Sequence, residues 1–352
     1  MMQIPGAAVL ADTTLRDGLQ HEERFVATDA KVWLAEQLVL AGCRRLEVTN
    51  YGNPRRMPQF RDADRLLKAL RASKILGPLA AGVELTAVTI REQAVERAIQ
   101  ARRDGYGPDR LLLMVATSDA YQRTSSGLSA GEYWRMCERY LPQIRDAGMK
   151  VCGAVTTIWG CPLQGRTETA TALEFTRRWL ELGAGDVEHA DHDGSATPDR
   201  VYEYFSELLQ AFPEPHRHVA HFHTTRGWGL ANVLAALQAG MHQFEASLGG
   251  IGGQPATLVD GVPVPGVGAS YSADDSVTGL VSTEDLAAML DGMEVATGLD
   301  LGRLLETGRT LERILGRRLR SESVRSGPRC RDRSGRQCGA PETPAAPAEV
   351  RP

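Results

Sequence analysis

Apolar positions along this chain alternate between two spacings. Short apolar runs occupy residues 9–13, 45–49, 84–89, 110–117, 150–158, 186–190, 218–223 and 243–246. The run 110–117 is continuously apolar between Arg110 and Thr117, as expected of a strand covered on both faces. After each run the apolar residues return at helical spacing, over 28–40, 59–72, 92–103, 129–147, 168–182, 198–212 and 230–240. Two further helical stretches, 286–296 and 304–315, close the pattern. Thr28 reads as an N-cap, and Gly42 as the stop of the first helix. Alternation of this kind, over the roughly 250–300 residues that such folds occupy, predicts an α/β TIM (β/α)8 barrel. A doubly wound sheet is the weaker reading, because no G-x-G-x-x-G opens an early helix.

Two segments break this rhythm. Residues 249–283 carry Gly-Gly-Ile-Gly-Gly, then a Gly/Pro/Val stretch, then Asp274-Asp275, without periodicity. An irregular connection of that length inside a compact fold predicts an enlarged lid or binding loop after strand eight. From Ser321 onward little remains to bury, so the chain divides into a barrel domain, 1–316, and a disordered Arg/Pro/Gly-rich tail, 317–352. From Gly316 the chain holds nine arginines against four acidic residues, while its net charge is −4, so the body is the acidic part. A solvated tail explains that basicity better than a polyanion partner, and neither nucleic acid nor membrane is expected. No run approaches the length of a membrane span and no leader pattern opens the chain, which predicts a cytoplasmic location.

Six cysteines form no C-x-x-C pair, so neither a disulfide framework nor a zinc knuckle is indicated. The four lysines are Lys31, Lys68, Lys74 and Lys150. Lys150 opens a strand and would sit at the wrong end of a barrel, which argues against Schiff-base chemistry.

Candidate chemistry lies at strand ends. His221 and His223 are two apart on a strand and share a face, and Arg16-Asp17 follows the first strand. One carboxylate and two imidazoles suit Mg²⁺ or Mn²⁺ with positions left for substrate oxygens, whereas the plain alternative is a hydrogen-bonded core pair. Arg16 would offer a permanently charged fork to an oxyanion, as aldol or Claisen chemistry requires. Glu47 either joins that site or pairs with Arg16 or Arg44. Asp191 is either chemical or, like Asp193, a turn residue before a helix. His189 and His192 read as polar fillers, and Cys161 as the structural residue of a Gly-Cys-Pro turn.

Taken together these stretches resemble the 3-hydroxy-3-methylglutaryl-CoA lyase branch of the DRE-TIM metallolyases, from about residue 9 to 315. The resemblance rests on Asp12-Thr-Thr-Leu-Arg16-Asp17-Gly18-Leu19-Gln20-His21-Glu22, Leu46-Glu47-Val48-Thr49 and Gly160-Cys161-Pro162-Leu163-Gln164-Gly165. His221-Phe-His223 through Leu230-Ala231-Asn232, Gly249-Gly250-Ile251-Gly252-Gly253 and Thr283-Glu284-Asp285-Leu286 follow in family order. Leu19 favours lyases over the related synthases, which usually carry Glu there. The resemblance implies a divalent metal, Mg²⁺ or Mn²⁺, held by Asp17, His221 and His223. It also implies Arg16 on the enolate, and Glu47 and Asp191 near the reacting hydroxyl. The activity it implies is retro-Claisen cleavage of a 3-hydroxy-3-methylglutaryl-CoA-like substrate to a keto acid and acetyl-CoA, in a homodimer or larger homo-oligomer. The alternatives are a synthase joining an acyl-CoA to a 2-oxo acid, or a metal-binding barrel with reduced activity. The sequence departs from the family at two places. Gln254 stands where the lyases carry a cysteine, and Gly279-Leu280 where they carry a ligand asparagine. An amide cannot act as acid or base. Asp274 and Asp275, with Tyr271 and Asp260 of the same loop, are the candidates for those roles.

Overall fold

A computed structural model of the chain describes residues 3–55, 57–79, 82–161, 163–253, 258–259, 262–263 and 279–327. Eight parallel strands close into a barrel in chain order: β1 (Val9–Asp12), β2 (Arg45–Asn50), β3 (Glu84–Val88), β4 (Arg110–Ala116), β5 (Lys150–Thr156), β6 (Asp186–Asp191), β7 (His218–Phe222) and β8 (Gln243–Ala246). Closure is made by β1 against β8, with Val9 opposite Gln243 and Asp12 opposite Ala246. The helices are α1 (Thr28–Leu40), α2 (Ala63–Ala72), α3 (Leu76–Leu79), α4 (Glu92–Arg103), α5 (Asp119–Ser126), α6 (Ala130–Asp146), α7 (Thr169–Glu181), α8 (Pro198–Ala211), α9 (Gly229–Gln238), α10 (Thr283–Gly292), α11 (Leu301–Leu315) and α12 (Glu322–Ser326). Within the loop after β8, β9 (Leu258–Val259) and β10 (Val262–Pro263) pair antiparallel. Gln254, Asp274 and Asp275, like Tyr271 and Asp260, lie outside the described residues, as does the tail beyond 327. Among the described residues no helix is long and apolar enough to cross a membrane.

Alternation along each strand divides the core in two. Leu111 and Leu113 of β4 belong to the large layer between barrel and helices, whereas Leu112 joins Val88, Cys152 and Ala154 in a separate apolar cluster. Successive side chains point to opposite faces, so this second cluster fills the β3–β5 side of the interior. Gly153 lets α7 approach: a Cβ there would lie 2.2 Å from the Trp179 ring. At the amino-terminal face, Lys150 pairs with Glu84 at 2.6 Å and Arg110 with Asp186 at 2.6 Å. Lys150 therefore sits at the end of the barrel opposite the candidate site.

Two boundaries and one additional helix differ from the sequence reading for visible reasons. Thr28 begins α1 rather than capping it, because its hydroxyl donates to Asp62 at 2.8 Å. The helix read from residue 59 starts at Ala63, because Gln59 is used as a clamp. Its Nε2 donates to the carbonyls of Glu22 and Arg24, and its Oε1 accepts from Val26 N–H. α5 lies in a stretch without a helical apolar pattern; Ser118 caps it by accepting from Tyr121 N–H at 3.2 Å.

The tail boundary at 316 also needs correction. Residues 317–327 fold back over the barrel: Leu319 and Val324 are buried, and Arg320 N–H donates to the Gly249 carbonyl at 2.9 Å. Asp285 accepts from Ser321 Oγ, Glu322 N–H and Ser323 N–H, so one carboxylate anchors the start of α12. Two apolar anchors among arginines were too sparse a pattern to reveal this segment in the sequence.

Candidate active site and metal centre

β1 ends in a single π-helical turn, Thr14–Gly18, that carries Arg16 and Asp17, both buried. Asp12 fixes that turn by accepting from Thr14 N–H at 2.9 Å with one oxygen and from Thr283 Oγ1 at 2.8 Å with the other. The Gly-rich loop after β8 supports it from the other side. Gly249, Gly250, Gly252 and Gly253 all have positive φ, which only glycine adopts without cost. A Cβ on Gly252 would lie 2.7 Å from the Asp17 carbonyl oxygen, so the missing side chain lets the loop press on the turn that carries Asp17.

Asp17 meets the β7 histidines directly. Its Oδ2 lies 3.6 Å from His221 Nε2 and 4.0 Å from His223 Nε2. Each imidazole is oriented from behind. His221 Nδ1–H donates to the Glu245 carboxylate at 2.8 Å, and His223 Nδ1–H donates to the main-chain carbonyl of Asp191 at 2.6 Å. Both acceptors lack a proton to give, so each ring carries its proton on Nδ1 and turns Nε2 towards Asp17. Asp17 Oδ1 and His223 Nε2 are buried and make no hydrogen bond among the described residues. Buried polar atoms are rarely left in this state, and a cation shared by Asp17, His221 and His223 would satisfy both. The donor set of two imidazoles and a carboxylate fits a divalent ion.

Arg16 pairs with Glu47 of β2 and lies 3.1 Å from Asp17 Oδ2. The Glu47–Arg16 pairing considered from sequence is thus present, and it holds the guanidinium beside the triad. Asp191 divides its two oxygens. Oδ1 accepts from Ser195 and Ala196 N–H at 3.0 and 3.2 Å, the turn role, while Oδ2 is buried and has no partner among the described residues. Asp193 takes a turn role, accepting from Ser195 N–H at 3.1 Å. His189 is a core residue, bonded to Tyr204 and His218. His192 packs on Tyr121 and edge-on to His223, with centroids 6.2 Å apart, so the residue read as filler borders the site. Cys161 is buried in its turn and donates to Ser118 Oγ at 3.1 Å.

Sequence reasoning missed Glu188 and Glu245. Both are buried inside the barrel within reach of His221, at 3.9 and 2.8 Å. Their one signal was an acidic residue at the middle of each strand, next to the apolar Val187 and Phe244.

The electrostatics sort these groups by task. Burial alone would push the Asp17 carboxyl up, but Arg16, His223 and His221 hold it below the usual carboxylate range, so it stays ionised. Burial and then His221 push His223 down to about 3, leaving it neutral. For His221, burial is outweighed by the bond to Glu245 and by Glu188, which raise it to about 9. Burial pushes Asp191 up to about 8, with Asp193 adding to the effect. It also pushes Glu47 up to about 7 despite Arg16.

A pH dependence follows. Asp17 and His223 need no deprotonation near neutrality, whereas His221 must lose its Nε2 proton to accept a cation. Metal affinity should therefore rise about tenfold per pH unit up to about 9 and level off above it. Calorimetry in buffers of different ionisation enthalpy should find close to one proton released per metal at pH 7.5. Glu245→Gln keeps the shape but weakens the hold on His221. It should lower metal affinity by about 10–100-fold, read by competition with a chromophoric chelator.

A closed barrel with a buried acid–imidazole triad and an adjoining arginine at the carboxyl ends of its strands defines a TIM-barrel protein with a candidate metal centre. The HMGL-like family profile matches residues 7–311, and the chain belongs to that family. It is 30% identical over 318 residues to the mitochondrial hydroxymethylglutaryl-CoA lyase of Bos taurus, covering 90% of this chain and 89% of that one. Against the (R)-citramalyl-CoA lyase of Chloroflexus aurantiacus it is 29% identical, covering 92% and 95%. Among solved structures it resembles an HMG-CoA lyase from Acenitobacter baumannii in complex with coenzyme A and 3-methylmalate. The TM-score is 0.79 at 27% identity, covering 93% of this chain and 97% of that one.

Proposed function

We propose that this protein is a divalent-metal-dependent carbon–carbon lyase that cleaves a 3-hydroxy-3-methylglutaryl-CoA-like thioester to a keto acid and acetyl-CoA. The observation that carries this reading is the pair of buried donor atoms without a partner among the described residues, Asp17 Oδ1 and His223 Nε2, beside Arg16. Asp17, His221 and His223 would hold Mg²⁺ or Mn²⁺, which supplies Lewis acidity to the substrate's hydroxyl and carbonyl oxygens. Asp191 Oδ2 and Glu47 are the carboxyls whose burial brings them near neutrality, where a group both accepts and returns a proton efficiently. One of them takes the proton of the tertiary hydroxyl. As the C–O bond becomes a carbonyl, the adjoining carbon–carbon bond breaks and its electron pair passes into the thioester enolate. Arg16, kept in place by Glu47, holds the enolate oxygen. A proton delivered to the enolate carbon completes acetyl-CoA. Gln254 cannot give that proton, and Asp274 and Asp275, which lie outside the described residues, are the sequence candidates for its donor.

The test is a chelated and metal-reconstituted preparation incubated separately with 3-hydroxy-3-methylglutaryl-CoA and citramalyl-CoA. Acetyl-CoA and keto acid appearing in equal amounts, only with metal restored, is the expected result. CoA release that instead requires acetyl-CoA plus a 2-oxo acid would identify a synthase. Stoichiometric metal with no thioester consumed would identify a metal-binding barrel of reduced activity.

A further inference from the structure

A cavity of about 550 Å³ opens from Arg16 outward between the carboxyl ends of β2, β3 and β4. Cavities of roughly 300–1,000 Å³ bury whole small-molecule ligands, so this one holds more than a short branched acyl group. Among the described residues its wall carries three arginines, Arg16, Arg91 and Arg97, and no carboxylate. Two of those charges are already answered. Arg16 has Glu47 and Asp17, and Arg97 has Asp64 at 2.6 Å while its guanidinium lies over the Tyr51 ring at 5.0 Å.

Arg91 stands apart. It immediately precedes α4 in an extended conformation (φ −132°, ψ 154°) and provides no side-chain cap. Its side chain is exposed to solvent at the cavity mouth, and among the described residues its guanidinium makes no ion pair or hydrogen bond. The adjacent Glu92 is committed to Arg139 of α6. Across the cavity mouth, a Cβ on Gly127 would lie 3.5 Å from an Arg91 terminal nitrogen, so the side chain spans from α4 towards the end of α5. The Arg91 carbonyl takes the N–H groups of Ala94 and Val95, and the first turn of α4 presents Gln93 and Ala94 to the same cavity. An unanswered guanidinium and a helix amino terminus on one wall favour negative charge in the space between them.

We propose that Arg91 is a specificity residue that binds an oxyanion on the part of the ligand remote from the Asp17–His221–His223 triad. The proposal rests on the lyase reading for the reacting end. Two sources offer the same chemistry: a phosphate of the coenzyme, or a second carboxylate on the acyl chain. Arginine suits either, since its planar fork makes paired, charge-assisted bonds that lysine reproduces only in part.

The full-length, metal-loaded protein and its Arg91→Gln and Arg91→Lys variants are assayed with 3-hydroxy-3-methylglutaryl-CoA and with the same acyl group on pantetheine, which lacks every phosphate. Arg91→Gln should raise KM for the CoA thioester by about tenfold, the scale of one charge-assisted bond, with kcat and metal content unchanged. Arg91→Lys should recover part of the loss. A pantetheine thioester indifferent to Arg91→Gln assigns the oxyanion to a coenzyme phosphate. An equal penalty on both thioesters assigns it to the acyl chain. Unchanged KM on both overturns the proposal. If the wild-type protein cleaves neither thioester, the lyase reading fails and Arg91 is judged on calorimetric Kd for the same two compounds. Weaker binding to Arg91→Gln then upholds it, and equal binding overturns it.

Discussion

His223→Ala, and likewise Asp17→Ala, should purify folded but with little bound metal, and turnover should fall by at least about a thousandfold. Each change removes one of three donors that converge on a point, and each leaves Glu245, Glu188 and His221 in place. Loss of a ligand costs both the ion and the Lewis acidity it provides, which is commonly several kcal/mol of transition-state stabilisation. The fold should survive, because neither side chain belongs to the apolar layer between barrel and helices. Metal analysis by inductively coupled plasma mass spectrometry, beside thermal unfolding of the apo-proteins, separates the two effects. Full metal occupancy in either variant would refute the assignment.

Arg16→Lys should lower kcat by about 10²–10³ while metal content stays stoichiometric. The guanidinium is buried, pairs with Glu47, lies 3.1 Å from Asp17 and forms the inner wall of the cavity. A lysine keeps the charge but loses the fork, so it cannot engage Glu47 and a developing oxyanion together. KM should move much less than kcat, because the contact strengthens only as charge develops on the thioester oxygen. Arg16→Gln should be worse than Arg16→Lys, since it also leaves Glu47 buried without its cation. Equal kcat in wild type and Arg16→Lys would remove Arg16 from the chemistry and leave it a structural partner of Glu47.

The barrel was legible because each strand–helix unit repeats the same solution: an apolar run buried on both faces, then a helix with one apolar stripe. Ranges such as 28–40, 92–103 and 243–246 coincide with α1, α4 and β8. The errors fell where a polar side chain is used for something other than its local habit. Gln59 bonds across to the first loop, Thr28 donates to Asp62, and Asp285 holds residues 321–323. Such partners are distant in sequence, and local spacing carries no trace of them.

His221 and His223 announced themselves because a two-residue spacing on a strand fixes a shared face, and Asp17 because it follows an apolar run at the position where barrel sites assemble. Those are local facts, and the sequence by itself determined them, together with the count of strand–helix units and the permanent charge of Arg16. Only the closed barrel decided what stands behind these groups. It placed Glu245 against His221, set the Asp191 carbonyl on His223, and brought the Gly252 backbone to Asp17 from a loop more than two hundred residues away. It also decided that Glu47 answers Arg16, while Arg91 stands exposed at the cavity mouth with no partner among the described residues. Proton positions and charge states depend on distances of a few ångströms in a dry interior, and those distances exist only once β1 has met β8.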